Sequence, residues 1–153
     1  MGNVVIANDH GAVEIAERLV RHLVKRGFSI NHLGVTSHDS VDYPDMAALA
    51  CREYLKGGYD FGILCCGTGI GISISANKIE GILCALPQNI FAATMAKIHN
   101  NANFIAFGGR IDYQDSVESM LDAFIDSSFE GGRHCARVAK MLALETNQGL
   151  SNQ

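Results

Sequence analysis

Residues 61–78 restrict the possible folds of this chain more than any other stretch. They begin with a short apolar run at 61–65, which has the length expected of a buried strand. A glycine-rich segment follows, and a helical pattern begins at Ile72. A strand that passes through a glycine loop into a helix is typical of α/β proteins.

The same alternation of strand and helix patterns continues along the whole chain. In the first helical segment Ile15, Leu19 and Leu23 recur every four residues, as on the buried face of a helix. Strands are predicted at 3–8, 28–33, 61–65, 81–86 and 103–107, and helices at 12–26, 44–56, 72–78, 87–100, 116–127 and 134–145. This order predicts a single α/β domain over 1–153, a doubly wound, Rossmann-like parallel sheet in three α/β/α layers. The tail from about 146 to 153 is expected to be frayed.

Composition excludes several functional classes. The chain has 153 residues, 48% of them hydrophobic, and a net charge of −4 without a long basic run, so a nucleic-acid partner is not expected. No apolar stretch is long enough to span a bilayer, and the first residues do not resemble a signal peptide, which predicts a cytoplasmic protein. Five cysteines, an odd number without zinc-site spacing, predict reduced thiols and no metal.

The glycine-rich segment predicts an anion site. Gly67, Thr68, Gly69 and Gly71 allow the backbone to approach a ligand, and the free N–H groups of the helix start attract negative charge. Cys66 lies where the strand becomes the loop, which places its side chain at the mouth of this site. The pattern matches neither the dinucleotide fingerprint nor the P-loop, so a structural glycine turn beside a buried cysteine is the alternative.

Other polar residues follow strand ends, where open parallel sheets bind ligands. Asp9 and His10 follow the first predicted strand, and Arg110 follows the fifth. His99 and Asn100 instead end a helix and are expected at the opposite edge of the sheet. Either that helix is bent towards the site, or a second subunit contributes part of the site.

Taken together, these motifs resemble the type B ribose-5-phosphate isomerases, relatives of bacterial galactose-6-phosphate isomerase. The matching segments are Asp9-His10, 41–44, 66–73, 76–78, His99-Asn100, Asn103, Phe107-Gly108, 130–134 and Arg137. The resemblance implies a cofactor-independent aldose–ketose isomerase that interconverts ribose 5-phosphate and ribulose 5-phosphate through a cis-enediolate. It also implies the non-oxidative branch of the pentose phosphate pathway, and a homodimer or dimer of dimers whose sites are shared between subunits.

The resemblance also implies roles for individual residues. Cys66 would be the base, His99 would open the sugar ring with Asp9, and Thr68 would belong to the catalytic group. The substrate would be bound by Asp9, His10, Tyr43, Gly67, Thr68, Gly69, Ile70, Gly71, Ser73, Asn100, Arg110, Arg133 and Arg137. Among these, His10 and the three arginines would hold the phosphate, while Asn100 and Tyr43 would contact the sugar.

Each assignment has a structural alternative. His99 could interact with a helix dipole, Asp9 could cap a helix, and Tyr43 could pack in a turn. Arg133 and Arg137 could lie on a solvated helix face. The stripe Phe91, Met95 and Ile98 is predicted to be core, as are Cys51, Cys65 and Cys84, whereas His22, His32 and His38 are predicted at the surface.

Three other functions compete with this one: an isomerase of allose 6-phosphate or galactose 6-phosphate, a sugar-phosphate sensor without catalysis, and a thiol redox protein. Intact Cys66 and His99 disfavour the sensor, and the absence of a C-x-x-C pair disfavours the redox protein. Leu83, Lys97 and Asn101 depart from residues common in the resembled family, which leaves the preferred sugar open.

Overall fold

The computed structural model describes residues 2–146, and these form alternating strands and helices. The strands are β1 (Asn3–Asn8), β2 (Ser29–His32), β3 (Phe61–Cys66), β4 (Cys84–Ala85) and β5 (Phe104–Gly108). The α-helices are α1 (Val13–Lys25), α2 (Tyr43–Leu55), α3 (Ile70–Ala76), α4 (Ile90–Ile98), α5 (Val117–Ile125) and α6 (Arg133–Ala143). Short 3-10 helices occupy His10–Ala12 and Leu144–Thr146. Of the tail predicted to fray, 147–153 lie outside the described residues.

The strands form one parallel sheet in the order β2-β1-β3-β5-β4, which confirms the predicted α/β class. The chain runs from β1 outwards to β2 and then returns to pair β3 with the other side of β1. Such a reversal opens a crevice at the carboxyl ends of the two central strands. Asp9 and Cys66 lie at this crevice.

Two hydrophobic cores cover the two faces of the sheet, as a three-layer arrangement requires. Ile63 and Cys65 of β3 pack in the core formed with α1, α4 and α5. Leu64 and Cys66 pack on the other face with α2 and α3. Successive strand residues point to opposite faces, so the two adjacent thiols are separated by the sheet.

Strand β4 is much shorter than the predicted strand at 81–86. Side-chain amides bind the main chain around it. Asn103 accepts from the Leu83 N–H at 2.8 Å and donates to the Gly81 carbonyl at 2.7 Å. Asn77 makes a second pair with the N–H and carbonyl of Cys84, both at 2.8 Å. The main-chain groups around β4 therefore find hydrogen-bond partners without a longer strand. Apolar patterns in the sequence cannot predict this result.

The predicted core stripe on α4 is wrong. Phe91 is 71% exposed, while Ala93 and Ala96 are the buried residues of the helix. Small side chains let α4 pack closely, while Met95 and Ile98 are only partly buried. Within residues 2–146, no helix combines the length and apolar character needed to cross a bilayer.

Candidate active site

The glycine loop folds back over Cys66 at the end of β3. The Cys66 side chain is nearly buried, and its sulfur accepts a hydrogen bond from the Gly69 N–H at 3.1 Å. Gly69 has a φ of 76°, the left-handed conformation that glycine adopts without strain. Helix α3 then begins at Ile70, two residues earlier than predicted. The first turn of this helix therefore lies directly beside the thiol.

The end of β5 holds this loop in place and brings Arg110 to it. The Gly109 N–H donates to the Cys66 carbonyl, and the Arg110 N–H donates to the Gly67 carbonyl, both at 2.9 Å. The guanidinium of Arg110 lies over Gly67, because a Cβ built at Gly67 would be 3.3 Å from Arg110 Nη1. A positive charge is thereby placed on one side of the glycine loop.

Asp9 and His10 approach the loop from the end of β1. The Asp9 N–H donates to the Cys65 carbonyl at 3.0 Å, and Asp9 Oδ1 accepts from the Gly11 N–H at 2.8 Å. The carboxylate therefore caps the turn that follows, which is the structural role considered for it above. A Cβ built at Gly11 would be 3.1 Å from the Gly67 main chain, so the two turns are in close contact.

Tyr43 covers the opposite side of the glycine loop. It is the first residue of α2, and its ring lies against Gly71, where a built Cβ would be 2.6 Å from Tyr43 Cζ. Tyr43 is nevertheless 41% exposed. Among the other predicted binding residues, Thr68 and Ile70 are exposed, whereas Ser73 is buried and its hydroxyl donates to the Ile70 carbonyl at 2.8 Å.

A second cluster forms where α4 ends and α6 begins. His99 follows α4, and its ring stacks on His134 with 4.2 Å between centroids and 13° between planes. Glu130 Oε2 lies 3.4 Å from His134 Nε2, and the Glu130 N–H donates to the Ile98 carbonyl at 3.1 Å. Arg133 is the first residue of α6 and Arg137 lies one turn later, both exposed to solvent. Asn100 is exposed beside the cluster.

His134 is the member of this cluster for which the sequence suggested no role. Its side chain is only 4% exposed. Desolvation lowers the pKa of His134, the positive charges of His99, Arg133 and Arg137 lower it further, and Glu130 opposes them. The signal available in the sequence was the spacing of Glu130 and His134, which places both on one side of the α6 start.

The same three side chains have the composition of a metal site. Ligand atoms of His99, Glu130 and His134 all lie within 4.8 Å of one another. However, Arg133 Nε lies 3.5 Å from His134 Nε2, so a guanidinium stands beside the nitrogen that would bind the cation. Together with the nearby Arg137, this charge favours an anion over a metal ion.

The two clusters lie at opposite ends of the strands, the first at their carboxyl ends and the second at their amino ends. Cys66, Asp9 and Arg110 follow the ends of strands, whereas His99 precedes the start of β5 by a few residues. A strand of six residues, such as β3, spans about 16 Å between its first and last Cα atoms. The described residues therefore carry two partial clusters, one at each end of the strands.

The three departures noted in the sequence have structural roles in or near β4, α4 and β5. Lys97 Nζ donates to the Ala102 carbonyl at 3.1 Å and lies 5.2 Å from the Phe124 ring centroid. Asn101 has a φ of 50°, which asparagine tolerates better than most residues. Leu83 lines a cavity of about 340 Å³ that also includes Asn100.

Comparison with known proteins agrees with this geometry. A profile described as Ribose/Galactose Isomerase matches residues 4–141. The chain is 36% identical over 145 residues to ribose-5-phosphate isomerase B of Escherichia coli (strain K12), covering 95% of this chain and 97% of the relative.

Solved structures extend the similarity to three dimensions. Ribose-5-phosphate isomerase B of Clostridium thermocellum superimposes with a TM-score of 0.91 at 37% identity, covering 95% of this chain and 98% of the other. A ribose 5-phosphate isomerase of Thermotoga maritima gives 0.88 at 39% identity, covering 92% and 97%. With its parallel sheet and its glycine loop after β3, the chain belongs to the ribose/galactose isomerase family.

Proposed function

We propose that this protein is a cofactor-independent aldose–ketose isomerase that interconverts ribose 5-phosphate and ribulose 5-phosphate. The observation that carries the proposal is the contact between Cys66 Sγ and the Gly69 N–H at 3.1 Å. This contact places a potential base beside the N-terminus of α3, with Arg110 and Asp9 close to it. The names of the relatives support the choice of substrate.

The proton transfer is assigned to Cys66. As a thiolate, it removes the proton from C2 of the open-chain aldose and returns it to C1, while the hydroxyl proton of O2 passes to O1, which gives the ketose. The cis-enediolate formed between the two steps carries negative charge on oxygen. Within residues 2–146, the N–H groups of Gly67, Thr68 and Gly71 donate to no protein acceptor, so they are free to stabilise that oxygen.

Ring opening and substrate binding are assigned to residues of both clusters. His99, assisted by Asp9, transfers the proton that opens the sugar ring. The phosphate is held by His10, Arg110, Arg133 and Arg137, and the sugar hydroxyls contact Asn100 and Tyr43. Arginine is suited to this role because its planar fork donates two hydrogen bonds to one phosphate.

A second copy of the chain completes the site in this proposal. His99, Arg133 and Arg137 belong to the cluster at the amino ends of the strands and Cys66 lies at a carboxyl end, so the proposal assigns the two halves of one site to different subunits. Ile70 and Ile74 on α3 are exposed apolar side chains beside the glycine loop, which supports a dimer interface there. We further propose a cytoplasmic enzyme of the non-oxidative pentose phosphate branch.

A comparison of three substrates tests the proposal. Isomerisation rates are measured with ribose 5-phosphate, allose 6-phosphate and galactose 6-phosphate, each with and without a chelator. We expect the highest kcat/KM with ribose 5-phosphate and no effect of the chelator. A higher kcat/KM with either six-carbon sugar would assign the enzyme to that substrate, and the absence of turnover with all three would favour a sensor.

A further inference from the structure

Asn8 joins three segments of the chain inside the protein. Its side chain is fully buried, and its Nδ2 donates to the Asp9 carbonyl at 3.0 Å and to the Val35 carbonyl at 2.9 Å. Because both acceptors are carbonyls, the amide orientation is determined, and Oδ1 must accept from His32 Nε2 at 2.7 Å. His32, which was predicted at the surface, is therefore partly buried and belongs to this network.

The segment bound by Asn8 is the loop 34–42, which connects β2 to α2. The main chain of Asn8 also accepts from the Val35 N–H at 3.3 Å, so both polar groups of Val35 pair with one residue. The loop passes so close that a Cβ at Gly34 would collide with the Asn8 amide. Asn8 thus fastens the start of the loop to the end of β1.

The far end of the same loop contacts His10. The Val41 N–H donates to His10 Nδ1 at 3.2 Å, and His38 Nδ1 lies 3.4 Å from the His10 carbonyl oxygen. A nitrogen that accepts a hydrogen bond carries no proton, so the neutral His10 ring has its proton on Nε2. That nitrogen is then a donor, as the binding of a phosphate oxygen requires.

We propose that Asn8 is a positioning residue of the substrate site. By fastening loop 34–42, it keeps the Val41 N–H on His10 Nδ1 and so presents Nε2–H to the phosphate. Asn8 acts through His10 and does not itself reach the substrate. The inference rests on the proposed role of His10 in phosphate binding.

The test is the Asn8→Asp variant, which keeps the size of the side chain and the acceptor for His32. It removes both Nδ2 donors and places a carboxylate against the carbonyls of Asp9 and Val35. ¹⁵N spectra of histidine-labelled protein at pH about 8, above the usual titration range of imidazole, report the His10 tautomer. We expect Nε2–H alone in the parent protein, a mixture with Nδ1–H in the variant, and inorganic phosphate bound about tenfold more weakly.

Asn31→Asp is the matched control, since it removes an amide that donates to the Tyr59 hydroxyl at 2.7 Å, away from the loop. It should change neither the tautomer nor phosphate affinity. If Asn8→Asp does not fold, Val41→Pro removes the N–H that donates to His10 Nδ1 and should give the same tautomer mixture.

An unchanged His10 tautomer in a folded Asn8→Asp or Val41→Pro variant would overturn the inference. The tautomer is read without turnover, so this outcome is distinct from failure of the isomerase proposal. A shifted tautomer with unchanged phosphate affinity would also overturn it, because the positioning would then have no effect on binding.

Discussion

At the scale of single residues, the five thiols differ in their surroundings. Cys66 Sγ accepts a hydrogen bond from the Gly69 N–H, whereas Cys51 lies in the core between α2 and the sheet. Burial raises the pKa of Cys51 to about 12, so this thiol stays protonated at neutral pH. Only a thiol beside a donor, at the edge of the sheet, is suited to remove a proton from a substrate.

Replacing Cys66 with alanine therefore tests the assignment of the base. We expect Cys66→Ala to lower kcat for ribose 5-phosphate by about 10³-fold, within the range for loss of a general base. The affinity for inorganic phosphate should change less than about twofold, because no phosphate ligand is lost. Cys51→Ala is the control and should keep kcat while lowering the free energy of unfolding. Turnover that survives in Cys66→Ala would remove the thiol from the mechanism.

His32 predicts a dependence of stability on pH. Desolvation lowers its pKa below the ordinary value of 6.5, so the unfolded chain binds a proton more readily than the folded one. The contribution of neutral His32 is complete above pH 6.5 and is lost as the pH falls towards the folded-state pKa. Urea unfolding at pH about 7.5 and 5.5 should show a smaller decrease for His32→Gln than for the parent protein. An equal decrease in both proteins would exclude His32 as a source of the pH dependence. The pKa of His134 is also lowered, so some pH dependence of stability should remain in His32→Gln.

At the scale of elements, the junction of β3, the glycine loop and α3 leaves no room for a side chain at Gly69 or at Gly108 of β5. A Cβ at Gly69 would lie 2.9 Å from the Phe107 main-chain carbon and 2.6 Å from Leu86 Cδ1. Gly108 is equally confined, with a built Cβ 2.6 Å from the Thr68 carbonyl carbon. Glycine is therefore required here by close packing of main chain as well as by conformation.

A comparison of Gly69→Ala with Gly27→Ala separates the requirement of close packing from the requirement of backbone conformation. Both glycines have positive φ, 76° and 86°, but a Cβ at Gly27 would meet nothing within 4 Å. Each variant loses about 1–2 kcal/mol for the left-handed conformation. Gly69→Ala should lose a further 1–3 kcal/mol, roughly, from overpacking, and it should lower kcat. Equal losses in the free energy of unfolding would show that the loop shifts freely to admit a methyl group.

At the scale of the whole molecule, the separation of the two clusters predicts that inactive subunits complement each other. Cys66→Ala and Arg137→Ala are each expected to be defective alone, the second mainly through a raised KM. After mixing, unfolding and refolding together, half of the dimers should be mixed, each with one intact site. The activity should reach about a quarter of the parent value at low substrate concentration.

The control for this experiment mixes Cys66→Ala with Gly67→Val, two changes in the same cluster. No intact site can form in that pair, and activity should stay at the level of the separate variants. Complementation in the control, or its absence with Arg137→Ala, would contradict a site shared between subunits.

Sequence patterns predicted most of the helices and strands and the cluster around Cys66. Short apolar runs identified the strands, and a repeat of about four residues identified α1. Cys66 and the glycines are adjacent in the chain, so their mutual placement follows from one strand–loop–helix unit. Local patterns suffice wherever the interacting groups are neighbours in sequence.

Contacts between segments that are distant in the chain could be identified only in the folded protein. The stacking of His99 on His134, the burial of alanines in place of Phe91, and the bond from Asn8 to Val35 all join residues or faces brought together by packing. Such contacts depend on which helix faces which neighbour and at what distance. The hydrophobic pattern of a helix does not identify the element against which it packs. Sequence patterns therefore could neither orient α4 nor assign a role to His134 or Asn8.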